Sequence, residues 1–416
     1  MPGVGTNPAI TPNRDVPVLL DLSRLVSRVG YGPHTGIDRV ELAYLDWCLS
    51  TDAPFFALVR TASGFSLLDR DGAQILRDQL AGKRAWGNRD LRALVGLRTP
   101  PLRGRAEAGV RRLSVSNTAK KDLFTLLGKV DLNGFCYLNT GHSTLAPEIL
   151  GTIRKAGCRV VVMIHDLIPL EFPEFQNPTN AGSFERKLKA VCAHADLIVT
   201  NSNSTSAKVT ALFSDWGRNV RPVASHLGVE VPVSNPAKPR RNRPYLVAIG
   251  TIEPRKNHQL LLDIWDAFDA DGPELHIVGR RGWNNKAVFE RLDRAKGNGL
   301  IFEHSALPDA DLWPLLQGSR ALLFPSFAEG FGLPSLEAAA LGVPVICGDL
   351  SVHRELLGAY PIYADSGNMG LWKQEIEKLL QCPTGQSSDD NSRQRPDIPS
   401  WGAHFAAVNA ALATLG

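Results

Sequence analysis

Residues 321–355 read ALLFPSFAEGFGLPSLEAAALGVPVICGDLSVHRE, and this stretch decides the fold. It divides into an apolar strand (Ala321 to Phe324), a glycine-containing loop (Ser326 to Gly332), a helix opening at Pro334 and a second apolar strand (Val343 to Cys347). Pro334 suits the first helical turn, where no N–H is needed, and Gly342 suits the position just past the helix end. Glu329 therefore falls in the loop beyond the carboxyl end of a buried strand, and Glu337 in the first turn of the next helix. Open α/β sheets bind their ligands at that edge, where loop amides and helix N-termini face one crevice. Two carboxylates eight residues apart, with Gly330 and Gly332 between them, are poorly explained by packing and mark the candidate site.

Working outward, the same rhythm continues in both directions. Upstream, the strands Tyr245–Ile249, Leu275–Val278 and Leu300–Phe302 alternate with helices. Residues 231–244, VPVSNPAKPRRNRP, are a Pro-rich polar linker and the best domain boundary. Before it, Val16–Leu22 reads as a strand, followed by a glycine loop (Gly30, Gly32, Gly36) and a helix from about Ile37 to Leu49. That loop permits either close approach of backbone to a ligand or a tight turn. Residues 54–68 hold two strand-like runs, read as a hairpin. The strands Phe135–Leu138, Arg159–Ile164, Leu197–Thr200 and a short one near Val220–Ala224 complete the first half, with a helix over Ser183–His194. Continuous apolar strands separated by helices predict a parallel sheet covered on both faces. The chain thus reads as α/β, with a domain over 1–233 and a second over 244–391. A closing helix over 400–416, with Trp401, Phe405, Val408 and Leu412 on one stripe, is expected to pack back on the first domain. The carboxyl edges of the two sheets then face one cleft, the default ligand site.

Composition removes several function classes. With 416 residues, 44% hydrophobic and 21% charged, the chain has the make-up of ordered globular domains, and a net charge of +4 does not point to nucleic acid. Its six cysteines are scattered without a CxxC pair, which argues against a zinc site or a disulfide framework and for a reducing compartment. No apolar run approaches the ~18 residues of a membrane span, and the N-terminus lacks a secretory pattern, so a cytoplasmic protein is expected. One segment departs from this ordinary make-up. Between Lys83 and Lys121 basic residues recur (among them Arg84, Arg92, Arg105, Arg111 and Arg112), opposed by Asp90 and Glu107, with Trp86, Leu91, Leu94, Val95 and Leu97 interleaved. It is either a solvated insertion or a peripheral contact for anionic lipid, where each surface cation adds about 1 kcal/mol.

The motif GTIEPRKN at 250–257 ends the first strand of the second domain and places Arg255 and Lys256 just before a helix. Cations prefer the other end of a helix, so two of them at an N-terminus make sense as a site for a diphosphate. The carboxylates Glu329 and Glu337 suit a polyol, because a carboxylate accepts paired hydrogen bonds from a vicinal diol. His165 ends an apolar strand in HDLIP, where it is either a hydrogen-bonded loop histidine or a group reaching into the cleft. His142 in GHS is either an acceptor contact or a turn residue. The pairs Asp269/Asp271 and Asp309/Asp311 have the Asp-x-Asp spacing of some metal sites, yet neither follows a strand into the cleft, so no metal is expected.

Together PSFAEGFGLPSLEAAALGVPV with its E-x7-E spacing, GTIEPRKN, HIVGRRGW at 276–283 and HDLIP at 165–169 resemble the family 4 glycosyltransferases of the GT-B type. The resemblance spans Leu138 to Glu355. It implies two Rossmann-like domains facing across a cleft and a retaining, metal-independent hexose transfer from a nucleotide sugar, with no other cofactor. On it, Glu337 would grip the donor ribose, and Arg255 with Lys256 would neutralise the diphosphate. Glu329 and the amides of Gly330, Phe331 and Gly332 would meet the transferred sugar. Gly36 would approach the phosphates, Gly250, Gly279 and Leu307 would lie near the nucleotide, and His165 would reach the sugar from the opposite domain, with His142 and Asp166 on the acceptor side. The variants look most like mannosyl- and rhamnosyltransferases of surface polysaccharide assembly, so GDP-mannose leads by analogy over UDP- or dTDP-sugars, with a saccharide or lipid-linked acceptor. The competing readings are a nucleotide-sugar epimerase, a phosphorylase, and an inactive binding subunit of a polysaccharide-assembly complex.

Overall fold

The computed structural model describes residues 16–32, 34–94, 100–119, 122–176, 181–232, 243–297, 299–305, 307–381 and 394–415. Much of the linker, Cys382, most of the polar segment after Gln381, and the basic-segment residues 95–99 and 120–121 lie outside them.

Among the described residues fourteen strands form two sheets. The first contains β1 (Val18–Asp21), β2 (Phe55–Thr61), β3 (Gly64–Leu68), β4 (Ser116–Thr118), β5 (Cys136–Asn139), β6 (Arg159–Ile164), β7 (Leu197–Thr200) and β8 (Val223–Ala224). Their order across the sheet is β4-β3-β2-β1-β5-β6-β7-β8. All neighbours are parallel except β2–β3 and β3–β4, so the two runs at 54–68 are an antiparallel hairpin extended by one further strand. The second sheet contains β9 (Tyr245–Ile249), β10 (Glu274–Val278), β11 (Ile301–His304), β12 (Leu322–Phe324), β13 (Val345–Cys347) and β14 (Ile362–Tyr363), in the order β11-β10-β9-β12-β13-β14 and parallel throughout. In both sheets the central strands are buried on two faces, as their unbroken apolar runs require: Val160, Val162 and Ile164 pack with Leu150 and Val191 on one side, while Val161 and Met163 pack on the other.

The helix Trp401–Ala413 leaves the second sheet and packs on the first domain. Trp47 and Phe405 stack at 4.7 Å, and Tyr44 meets Phe405 edge-on. His404 is anchored at both ring nitrogens. Its Nδ1–H donates to the carbonyls of Ser225 and His226, so Nε2 accepts from the Tyr44 hydroxyl at 2.9 Å.

The two domains touch along the cleft. Glu355 of the second domain accepts from the backbone N–H groups of Asn203 (2.7 Å) and Ser204 (2.9 Å), which open the helix Asn203–Asp215 of the first, and lies 2.7 Å from His226. A carboxylate at a helix N-terminus is favoured by the free amides and the helix dipole together. On the far side of the cleft Trp283 Nε1 donates to the Phe175 carbonyl at 2.8 Å. The five cysteines among the described residues are all buried.

Part of the basic segment is structural. Arg111 is buried and forms a two-pronged pair with Asp90 (2.6 and 2.7 Å), Arg103 pairs with Glu107, and Arg112 donates to the carbonyls of Trp86 and Asn88. Lys83, Arg84 and Arg105 remain exposed, as do Leu91, Leu102 and Val115. Among the described residues no helix is long and apolar enough to cross a membrane.

Candidate active site

The loops after β9 and β12 build one half of the site. Arg255 and Lys256 lie in a short 3-10 turn, Pro254–Lys256, and Asn257 then takes a left-handed conformation (φ 53°) that redirects the chain into the helix His258–Trp265. The turn folds both cations back over the edge of the sheet. Lys256 Nζ sits 2.6 Å from Glu329 Oε1 and 4.3 Å from the centre of the Phe324 ring, while Arg255 Nη1 sits 2.9 Å from Glu329 Oε2. Arg255 also pairs with Glu253 at 2.7 Å and donates to the Ala328 carbonyl, and the Phe327 N–H donates back to the Arg255 carbonyl at 2.9 Å. Burial alone would raise the Glu329 carboxyl, but Arg255 and Lys256 outweigh it and hold it down at about 2. The expected pair of cations is thus a matched set, with Arg255 and Lys256 facing Glu329 and Glu253.

Glu337 departs from the expected position. The helix runs Leu333–Ala340 and has no acid in its first turn, so Glu337 lies in the second, turned inward. Its carboxylate is contacted from the opposite domain: Arg39 Nη1 is 2.7 Å from Glu337 Oε1, and Arg39 Nη2 is 3.4 Å from Asp309. Burial raises the Glu337 carboxyl against the opposing pull of Arg39.

The glycines explain how closely the backbone segments meet. A Cβ on Gly330 would fall 2.4 Å from the His165 carbonyl oxygen and 2.9 Å from Asp166 Cβ, so the loop of the second domain rests directly on the end of β6. Gly332 has a φ of +92° at the N-cap of the Glu337 helix. A Cβ on Gly279 would meet the Gly250 carbonyl oxygen at 1.8 Å, one on Gly250 would meet Lys256 Cε at 3.1 Å, and one on Gly36 would meet Leu333 Cδ1 at 3.4 Å. Phe331 is buried beside His226, and Leu307 packs at the margin of the core just before the helix Asp309–Gln317.

The first domain contributes the ends of β5 and β6. His165 Nε2 donates to the Thr140 carbonyl at 2.7 Å, which leaves Nδ1 as an acceptor, and burial pushes the ring down to about 4. It is a neutral hydrogen-bonding group at physiological pH. His142, in a left-handed conformation, donates through Nε2 to the Met163 carbonyl at 2.6 Å, and burial together with His165 lowers it to about 3. The two rings are 5.3 Å apart. Asp166 accepts from the Ile168 N–H, and burial raises its carboxyl against the nearby Arg255. The structure therefore brings Arg255, Lys256, Glu329, Gly330, His165 and Asp166 together, with Glu337 and Gly36 further along the cleft. Sequence reasoning missed Glu253 and Arg39. The first stands inside GTIEPRKN, two residues from Arg255. The second follows TGID on a helix whose apolar stripe drew attention to its other face. Among the described residues no three His, Cys, Asp or Glu side chains are placed to hold a metal ion.

Comparison with known proteins fits this geometry. Residues 234–396 match the family model of the glycosyl transferases group 1. Over 285 residues, 63% of the chain, it is 31% identical to the serotype-specific mannosyltransferase WbdA of Escherichia coli, of which this covers 34%. Over 237 residues, 54% of the chain, it is 29% identical to the O-antigen chain mannosyltransferase B of Escherichia coli, covering 61% of that protein. The chain thus spans about a third of WbdA. Among solved structures, HepE from Anabaena in complex with UDP-glucose superposes with a TM-score of 0.58 at 14% identity over 96% of both chains. An OtsA apo structure gives 0.52 at 12% identity over 69% of this chain and 75% of its own. The architecture is the GT-B fold.

Proposed function

We propose, from the match of residues 234–396 to the glycosyl transferases group 1 model, that the chain is a retaining, metal-independent hexosyltransferase. It moves mannose or a related sugar from a nucleotide diphosphate sugar to a saccharide or lipid-linked saccharide during surface polysaccharide assembly. The observation that carries this reading is Glu329 clamped between Lys256 and Arg255, beside Gly330 and the end of β6. The mannosyltransferase relatives support the sugar, and GDP-mannose is the first donor to try.

The chemistry follows from what each group can do. The donor's anomeric C–O bond to the diphosphate breaks, the acceptor oxygen bonds to the same face of that carbon, and the acceptor proton passes to a diphosphate oxygen. Arg255 and Lys256 stabilise the charge that develops on the leaving diphosphate, an electrostatic task that preorganised cations perform without a metal. Their charge is matched by Glu329 and Glu253 before the donor arrives, so the diphosphate takes over the cations and Glu329 turns to the sugar hydroxyls. His165, neutral and accepting at Nδ1, holds a sugar hydroxyl from the other domain and fixes its orientation. Glu337 keeps one oxygen on Arg39 and offers the other to the ribose diol. The exposed cations Lys83, Arg84 and Arg105, with the exposed Leu91 and Leu102, serve as a peripheral contact to anionic lipid on the cytoplasmic face of a membrane.

The deciding experiment is a panel of nucleotide sugars assayed for hydrolysis and for transfer to lipid-extracted acceptors. Release of nucleoside diphosphate with retained anomeric configuration supports the reading. Isomerised donor without transfer would favour an epimerase.

A further inference from the structure

A second set of cations lies in the first domain, at the ends of β1 and β5, apart from Arg255 and Lys256. Arg24 stands on the helix Ser23–Ser27 directly after β1, and Arg28 follows it. One carboxylate serves both: Asp38 lies 3.3 Å from Arg24 Nε and 3.6 Å from Arg28 Nε. Neither contact is a good hydrogen bond, and both Nε atoms are buried without a partner. A second acid near Arg24, Glu41, is 3.9 Å away and fully buried, with both oxygens unpartnered. Burial pushes its carboxyl well above the usual range, so it offers Arg24 little negative charge.

Two more cations, Arg280 and Lys187, approach the same place, and the Arg60 backbone adjoins it. Arg280 comes from the second domain and donates to the Tyr31 carbonyl at 2.7 Å, above the Arg28 guanidinium that covers the Tyr31 ring. Lys187 approaches on the helix Ala181–His194 and makes no hydrogen bond or ion pair among the described residues. Its ammonium is lowered by burial, then by Arg24 and Arg60, which places all three within each other's field. The Arg60 N–H is bonded to Ser23 Oγ at 2.8 Å, beside Arg24. The cluster adjoins the proposed acceptor side of the cleft: a Cβ on Gly141 would sit 2.9 Å from Arg24 Cβ, and His142 is the next residue. The cations themselves are half-buried; like charges gathered there repel one another, and a phosphoryl group supplies both the opposite charge and several acceptor oxygens.

We propose that Arg24, Arg28, Lys187 and Arg280 form an acceptor subsite for a phosphoryl group, so that the acceptor is a phosphorylated saccharide rather than a neutral one. The inference rests on the glycosyl-transfer reading and names the class of its acceptor. Phosphate on a soluble sugar and diphosphate on a lipid-linked sugar share the chemistry that this cluster recognises.

The test uses the full chain, its working donor, and three acceptors built on one sugar: the octyl glycoside, the sugar 1-phosphate and the octyl-diphosphate glycoside. A phosphorylated acceptor should exceed the octyl glycoside at least about tenfold in kcat/KM, the scale of one charge-assisted hydrogen bond. Whichever phosphorylated form wins identifies free or lipid-borne phosphate as the source. Lys187→Gln should erase most of that preference through the acceptor KM, leaving donor hydrolysis by water intact, and Arg28→Gln should act in the same direction. Equal use of neutral and phosphorylated acceptors overturns the proposal, as does an unchanged preference in both variants. A wild-type chain that neither hydrolyses nor transfers from any nucleotide sugar defeats the glycosyl-transfer reading itself.

Discussion

Arg39 Nη1 lies 2.7 Å from Glu337 Oε1, an ion pair that joins the glycine-loop helix of one domain to the E-x7-E helix of the other. The residue expected to grip the nucleotide is therefore also a point at which the domains hold each other. Glu337→Ala should raise the donor KM on the order of ten- to a hundredfold, as loss of a charged hydrogen bond predicts. Arg39→Ala should have a smaller effect on donor KM and should leave the binding of the nucleoside diphosphate measurable by calorimetry. Equal donor KM in Glu337→Ala and the parent would remove Glu337 from the site.

Lys256, 2.6 Å from Glu329, is the cation that the proposed mechanism hands from that carboxylate to a diphosphate. Nucleoside diphosphate should raise the melting temperature by mass action, and Lys256→Ala should abolish most of that rise. The same variant should lower kcat on the order of a hundred- to a thousandfold, as removal of a preorganised charge does elsewhere. An undiminished thermal shift refutes the diphosphate assignment.

Gly330 sits where no side chain fits. Its Cβ would lie 2.4 Å from the His165 carbonyl oxygen, a backbone atom that cannot swing aside. Gly330→Ala should therefore part the two domains along this contact. Small-angle scattering should report a larger radius of gyration, and turnover should fall, while each domain keeps its helical circular dichroism. An unchanged radius with full activity would contradict the closeness of the contact.

Stability should decline on acidification in two stages. His142 and His258 are held at about 3, and His165 and His404 at about 4, in each case by burial, against 6.5 in the unfolded chain. The unfolded chain thus binds more protons between pH 6.5 and about 4, and stability falls as pH drops through that window. Glu329 acts lower: its contribution is complete above about 4.5 and is lost as pH falls towards 2. Urea midpoints measured from pH 8 to 3 should show the first stage, and His404→Gln should flatten it. A stability maximum near pH 5 would rule the histidine contribution out.

Replacing Lys83, Arg84 and Arg105 by Glu should weaken binding to vesicles containing phosphatidylserine, at about 1 kcal/mol for each cation lost, and should leave the melting temperature near its parent value. These three are exposed, whereas Arg111 and Arg103 are tied to Asp90 and Glu107 and would confuse the experiment with unfolding. Unaltered sedimentation with vesicles makes the segment a solvated insertion.

The sheets were legible because buried parallel strands leave unbroken apolar runs: Arg159–Ile164, Leu197–Thr200 and Tyr245–Ile249 coincide with their observed bounds. The short strands β4 and β14 were not, since Ser116–Thr118 is polar throughout and Ile362–Tyr363 is only two residues, with no apolar run to mark either. At the site, Glu329, Arg255 and Lys256 stood out by residue type at strand ends. Arg39 and Arg24 did not, because their meaning comes from what faces them across 298 residues in one case and from what fails to neutralise them in the other. Pattern along a chain reports burial well, but it says little about charge balance, which is a property of neighbours in space.

That balance has a consequence for selectivity. A bare pair of cations at a cleft would hold whatever phosphate or nucleotide the cell offers in excess. Here the pair is shielded by Glu329; on the proposed donor site it would have to let go before an anion settled, and would gain a new partner only when sugar hydroxyls arrived with the diphosphate. A spent nucleotide would leave the carboxylate with nothing to bind, so the residue proposed to admit the loaded donor would also help to expel the empty one.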